Sequence, residues 1–474
     1  MSGLGRRHFV RLAGCGLLVP GCKRQRAPEI AETWDEQPAI EQTEALGNLA
    51  PLWPAPVRGR LGSGLLSFWL HEAGSPALHV RALLPTSSPR GDDVGADAVA
   101  VITDHVAFEL QRRLGRDGVT VRVDHGPDRI EIGLHGSGAD LGRIFKWLGW
   151  ALRPAAPLAG LTHARDRLAE QLPAAGTEDA AIAHLVAAMV GRPAAHGLVD
   201  AARLGALTRA DLEQAWATLT DPRRAVLVVH SGEPAAAGRA VLRSLSAAWH
   251  GLGKIETPDQ AVERLHVHVD GVVSAHHILA EPPAPLAVLD VGRGEPTLVL
   301  GRVIPTEAPP ARSRARLAQR LLQEELDARL VISGAHALFV VRAPLSRSAP
   351  ERSAQDLVAA LADFAGARQP SQRLFTAAQL WLGARVVEAS LQGEDWTQLF
   401  AEAIDLADRD ADIANALVRD ATTMLEPDAD AMQQWQRKWL DPRAGEVGWH
   451  WLAAGVEDKI QRRLERITPL SPVA

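Results

Sequence analysis

The sequence predicts an α+β fold of two tandem homologous domains, each an antiparallel sheet covered by helices. Three observations predict it. Short runs alternate apolar and polar residues and are bounded by Gly, Pro, Asp or Ser, as half-buried strands require. Longer runs between them space apolar residues at the helical period. The order of these runs in the first half of the chain recurs in the second. The chain has 474 residues. At about 100–200 residues per domain this is room for two or three cores.

In the first half, Gly64–Leu70 and Leu78–Leu84 read as two strands around a turn at His71–Ser75. A helix is expected from about Ala96 to Leu114, with Val99, Ile102, Val106, Phe108 and Leu110 among its apolar positions. Val119, Val121 and Val123 alternate, as do Ile130, Ile132 and Leu134 across a His125–Asp128 turn, so a hairpin with one buried face follows. Helices are expected at about 139–153, 160–172 and 178–190. Thr208 is placed to cap the helix after Leu207. Ala225–His230 reads as a buried strand. In the second half, strands are expected at Leu265–Val269, Thr297–Leu300 and Ala337–Val341, and helices at Ala311–Leu330, 353–365 and 372–392. The Gly- and Pro-containing stretch Gly251–Gln260 reads as the linker. The expected boundaries are 58–253 and 262–468.

Composition narrows the function. Hydrophobic residues make up 46% and charged residues 23%, which excludes a disordered chain. Net charge is −6, so no basic excess points to nucleic acid. There is no tyrosine among 13 Trp and 8 Phe, which removes every mechanism that needs a phenol. Coding bias suffices to explain the zero: Lys23, Lys146, Lys254, Lys438 and Lys459 are the only lysines.

Residues 1–22 read as an export segment. Gly5-Arg6-Arg7-His8-Phe9 resembles a twin-arginine signal, and a short apolar run follows from Leu12 to Gly21. Val19-Pro20-Gly21-Cys22 resembles a bacterial lipobox, which makes Cys22 the expected lipidation site. Leu12-Ala13-Gly14-Cys15 is a second lipobox-like run, but almost no apolar stretch precedes it. The alternative is an N-terminus with two incidental cysteines. No cysteine follows Cys22, so the body can form no disulfide and no thiolate metal site. Residues 23–57 lack periodicity and read as a tether.

Four stretches, in order, resemble the insulinase/pitrilysin-type metallopeptidases, an inverted-zincin family that includes the mitochondrial processing peptidase. They are the strand pair at 61–84, the helix carrying Val101-Ile102-Thr103-Asp104-His105, the run from Arg192-Pro193-Ala194-Ala195-His196-Gly197 to Leu207-Thr208-Arg209-Ala210-Asp211-Leu212, and the strand Pro222–Val229. The resemblance covers about residues 60–465. It implies two homologous domains enclosing a chamber in clamshell fashion, and a zinc endopeptidase ancestry.

The departures fall on the chemistry. In His-x-x-Glu-His, two imidazoles on one helix face bind zinc and the Glu activates the metal-bound water. Here Val101 stands at the first ligand position and Asp104 at the base position; only His105 is kept. Asp is one methylene shorter, and a displacement of about 1 Å can cost roughly 100-fold. The family's third ligand lies on a later helix, where this chain reads His163-Ala164-Arg165-Asp166-Arg167-Leu168-Ala169-Glu170. His163 and Glu170 are the remnant candidates there. The resemblance also implies an Arg and a Tyr that hold substrate from the second domain; Asp327 and Ile332 fall near those positions.

The expected function is therefore that of an exported, lipid-anchored homologue with no intact catalytic residue and no cofactor. It would act as the partner or peptide-binding subunit of an active homologous metallopeptidase, in the periplasm or at the outer membrane. One alternative is an active enzyme with a remodelled zinc site drawn from Asp104, His105, Glu109, His163, Asp166 and Glu170. Another is an envelope scaffold that handles no peptide. A peptide-binding subunit should keep a sheet edge able to accept an extended strand; a scaffold need not. His276-His277 reads as an exposed pair, Gly292-Arg293-Gly294 lacks the setting of a phosphate loop, and Asp408–Asp412 reads as a solvated turn. Trp435, Trp439, Trp449 and Trp451 read as the core of the last helices.

Overall fold

The computed structural model describes residues 57–61, 63–86, 95–125, 129–171, 199, 201–249, 286–289, 295–305, 309–323, 325–333, 336–367, 374–382, 397–398, 429–442 and 449–464. The export segment with Cys15 and Cys22, the tether up to residue 56, the 178–190 helix, Arg192–Gly197, the linker, the Leu265–Val269 strand, His276-His277, Gly292–Gly294 and Asp408–Asp412 lie outside the described residues; Val57, the last residue expected in the tether, instead opens the first strand.

The first sheet holds six strands in the order β1-β2-β6-β3-β5-β4. These are β1 (Val57–Arg60), β2 (Leu66–His71), β3 (Ala77–Pro85), β4 (Thr120–His125), β5 (Arg129–Ser137) and β6 (Val226–Ser231). All neighbours run antiparallel except β2 and β6. The second sheet orders its strands β7-β11-β8-β10-β9, from β7 (Leu286–Leu289), β8 (Thr297–Pro305), β9 (Asp327–Ser333), β10 (His336–Pro344) and β11 (His450–Ala454). Its one parallel pair is β7 with β11. Counted from β2, the first sheet runs first, last, second, fourth, third. The second sheet runs in the same order with the same pair parallel. The tandem reading of the sequence is thus repeated in strand topology, and β1 is an addition at one edge.

Helices cover one face of each sheet. In the first half, α1 (Ala96–Leu114), α2 (Leu141–Ala151) and α3 (Leu158–Gln171) are followed by α4 (Ala201–Ala206), α5 (Arg209–Leu219) and α6 (Ala235–Ala248). Period-3.6 positions bring Leu141, Ile144, Phe145 and Leu148 of α2 inward. They meet Leu78, Val80, Ala82 and Leu84 of β3 and Ile130, Ile132 and Leu134 of β5 in one core. Gly238 of α6 leaves room for Trp69; a Cβ there would lie 2.3 Å from the indole. α5 begins as expected: Thr208 accepts from the Asp211 amide and the Asp211 carboxylate returns the contact. Phe108, expected among the apolar positions of α1, is 45% exposed and lies on its outer side.

The second half adds α7 (Pro309–Leu322), α8 (Pro350–Ala362), α9 (Ala429–Trp439) and α10 (Asp458–Leu464). The helix expected to reach Leu330 ends at Leu322. Cross-strand pairing of Asp327–Ser333 with β10 overrides the local helical pattern, and Gln323 Nε2 donates to the Ala328 carbonyl at the turn. Trp435 and Trp439 lie on α9, whereas Trp449 and Trp451 belong to β11 and the residue just before it. The expectation of four helical tryptophans is corrected accordingly. Arg302 of β8 is buried and donates to the carbonyls of Lys438 and Asp441 at the end of α9, where a cation complements the exposed carbonyls.

Candidate functional site

α1 carries the degenerate motif into the seam between helices. Val101 is fully buried within the apolar core, so the first ligand position is a packing position. His105, one turn on, is 4% exposed. Its ring lies over Gly160 of α3, where a Cβ would sit 2.4 Å from His105 Cε1. The Trp216 indole of α5 meets it edge-on, with centroids 6.0 Å apart. Burial pulls the His105 pKa down to about 4; Glu109 and Asp104 oppose the shift, and Arg153 and Arg167 add to it. Such an imidazole is neutral at pH 7.

Asp104 points to α3 and forms an ion pair with Arg167. The Arg167 guanidinium also stacks on the Phe108 ring, its Cζ 4.8 Å from the centroid. Asp104 is thus held by a cation of the helix expected to bring the third ligand. His163 and Glu170 of that helix are exposed, and Asp166 pairs with its neighbour Arg165. Among the described residues no three His, Cys, Asp or Glu side chains form a group able to hold a metal ion. The donor set does not fit zinc: Val101 offers no donor, Asp104 faces a guanidinium, and His105 is wedged between α3 and α5.

In the second half, Asp327 starts β9 and forms an ion pair with Arg342 directly opposite on β10. Ile332 lies on the same strand, opposite Ala337. Both expected substrate positions therefore fall on one strand, which among the described residues pairs only with β10, and Asp327 is engaged within the sheet.

The face of the first sheet away from its helices carries a polar row that the sequence reading did not collect. His230 of β6, His79 of β3, His135 of β5 and Thr120 of β4 stand directly opposite one another in register. His79 and His135 share a hydrogen bond between their Nδ1 atoms at 2.8 Å, which requires at least one neutral ring. Burial lowers the His79 pKa to about 3, helped by His135, His230 and Arg81. Burial also lowers that of His230, against the pull of Glu72, whose carboxylate is 2.9 Å from its Nε2. In the next row Arg81, Gly133 and Arg122 align, followed by Leu83, Glu131 and Asp124. Arg81 pairs with Glu131, and Arg122 with Asp124. All residues of these rows but His230 and Leu83 line a narrow cleft beside β4, with Thr397 of the second half at its wall. The alternation in β5 gave a usable sign, since residues between Ile130, Ile132 and Leu134 must face the other way. β4 is the last strand of the sheet and, among the described residues, pairs only with β5.

No protein-family model matches the chain, and no curated protein sequence matches it. Solved structures do. A protease from Helicobacter pylori superposes with a TM-score of 0.63 at 13% identity, over 84% of this chain and 99% of that one. The M16 inactive domain from Pseudomonas fluorescens gives 0.61 at 14% identity, over 85% and 98%. The chain has the fold of the M16-like peptidases. The periplasmic protease PqqL of Escherichia coli is also similar, with a TM-score of 0.56 at 12% identity over 94% of this chain and 50% of that one. The M16-like fold is the insulinase/pitrilysin-type fold to which the motifs pointed, and one of its solved examples is itself described as inactive.

Proposed function

We propose that this chain is a non-catalytic M16-like subunit, exported and lipid-anchored through Cys22, that binds extended peptide segments and works beside an active homologous metallopeptidase. The observation that carries the reading is the edge strand β4, exposed along most of its length and bordered by the histidine-lined cleft. A strand edge with unpaired backbone groups accepts an extended peptide through main-chain hydrogen bonds, and pockets beside it read alternate side chains. The degenerate motif supports the absence of catalysis. A buried valine, a carboxylate tied to Arg167 and a histidine under Gly160 supply neither ligand set nor general base. The chain holds no tyrosine for the carbonyl-polarising role that the family resemblance implies. The proposal needs no metal. Among the described residues no helix is long and apolar enough to cross a membrane, which is compatible with anchoring through an acyl chain.

The test uses the full chain and a fluorescent ten-residue peptide read by anisotropy. Two versions of the peptide carry N-methyl groups on alternate residues in opposite phase. Strand addition predicts that one phase abolishes binding and the other leaves it unchanged. Equal binding by both versions contradicts strand addition. No binding of any peptide, free or with a homologous subunit present, favours the scaffold alternative.

A further inference from the structure

Away from the candidate site, the end of α1 and the outer side of α2 carry cations stacked on indoles. Arg113 Cζ lies 4.6 Å from the Trp147 ring and 5.2 Å from the Trp150 ring. Lys146 Nζ is 5.3 Å from Trp147, and Arg153 Cζ is 4.3 Å from Trp150. The two indoles meet edge-on with centroids 5.9 Å apart. Both are half-buried; Lys146 and the neighbouring Arg116 are exposed. The acids of this corner are engaged by other arginines: Glu109 by Arg112, and Asp117 and Asp140 by Arg143. Among the described residues, a chain of net charge −6 therefore gathers a surplus of positive charge at one aromatic corner.

We propose that this face of α1 and α2 docks on an anionic phospholipid surface. Indoles settle in the headgroup region, where ring and N–H are both accommodated, and Lys and Arg extend their charges to phosphate while their stems cover apolar surface. Anionic headgroups attract clustered cations within a Debye length. The charge of the face complements such a surface. Cys22 precedes Val57 by about 35 residues, at most about 120 Å of extended chain, so an anchored body would stay within reach of the same membrane.

The experiment takes the full chain with Cys15→Ser and Cys22→Ser, so that no acyl chain contributes, and measures co-sedimentation with two kinds of vesicle. One is phosphatidylcholine with about a third phosphatidylglycerol; the other is phosphatidylcholine alone. The expected result is a preference of about tenfold for the anionic vesicles, lost in high salt. Replacing two of the exposed cations, R116Q with K146Q, should lower that preference at least about fivefold. A control with the same loss of charge elsewhere, R209Q with R243Q, should keep it. Equal binding to both vesicles overturns the proposal, as does an equal drop in the control. An R116Q/K146Q protein that binds vesicles like its parent but loses a co-purifying protein also overturns it, and assigns the face to a protein partner.

Discussion

Replacing Gly160 by alanine tests the account of the degenerate motif at its tightest point. In an ordinary helix the change stabilises by roughly 0.5–1 kcal/mol, because glycine loses more backbone entropy on folding. Here the new Cβ would sit 2.4 Å from His105 Cε1 and 2.8 Å from its Nδ1. The ring has little room to retreat, since it is buried and also meets the Trp216 indole edge-on. Overpacking of this kind costs about 1–3 kcal/mol, so the net effect is a loss of up to about 2 kcal/mol. For a half of this size that lowers the melting temperature by up to roughly 8 °C. The assay is a double-mutant cycle with His105→Ala, followed by thermal melting. Without the imidazole, Gly160→Ala should return to a gain of about 0.5–1 kcal/mol, leaving a coupling of roughly 1–3 kcal/mol. If Gly160→Ala raises the melting temperature by the same amount in both backgrounds, His105 does not lie against α3, and the reasoning about the metal position fails.

Other predictions follow from the same geometry. Val101→His should not create zinc binding, because its side chain enters the apolar core; the expected outcome is a loss of about 2–4 kcal/mol and no zinc in the dialysed protein by elemental analysis. Asp104→Asn should cost at most about 1 kcal/mol in chemical denaturation, since its pair with Arg167 is partly solvated. His79 and His105 have folded pKa values of about 3 and about 4, below the unfolded 6.5, so the unfolded chain takes up their protons first. Stability should therefore be full above about pH 6.5 and fall as pH drops toward 4, by on the order of 2 kcal/mol for each residue at pH 5. Melting temperatures across that range check this, and His79→Gln should flatten the slope. Thr208→Ala should cost about 1 kcal/mol through loss of the α5 cap, measured by denaturation.

The local grammar of the chain was readable wherever a single element decides the outcome. The strands β2 and β3, the β4–β5 hairpin, the length of α1 and the Thr208 cap all follow from period and turn chemistry within about twenty residues, although β6 inserts between β2 and β3 in the sheet. The repeated order of elements also foretold the shared strand topology. What escaped depends on packing between distant elements. Residues 79, 135 and 230 become neighbours only through the register of β5, β3 and β6, which no local pattern encodes. His163 and Arg167 lie one turn apart on α3, so helical phase alone cannot choose between them. The crossing with α1 does so by placing Arg167 against Asp104. The end of α7 was missed because pairing of β9 with β10 decides it, and β10 lies beyond the helix in sequence. Phe108 is apolar but lies on the outer side of α1, where the Arg167 guanidinium stacks on it; its apolar character alone did not tell that face from the inner one.

The most direct test of the central claim is a cleavage experiment on the pure full chain. The protein is incubated with a degenerate peptide library and added zinc, and new peptide termini are read by mass spectrometry. The account predicts retention of extended peptides and no new termini, with or without zinc. Zinc-dependent termini that disappear with a chelator, and that persist when any contaminating peptidase has been removed, would contradict it.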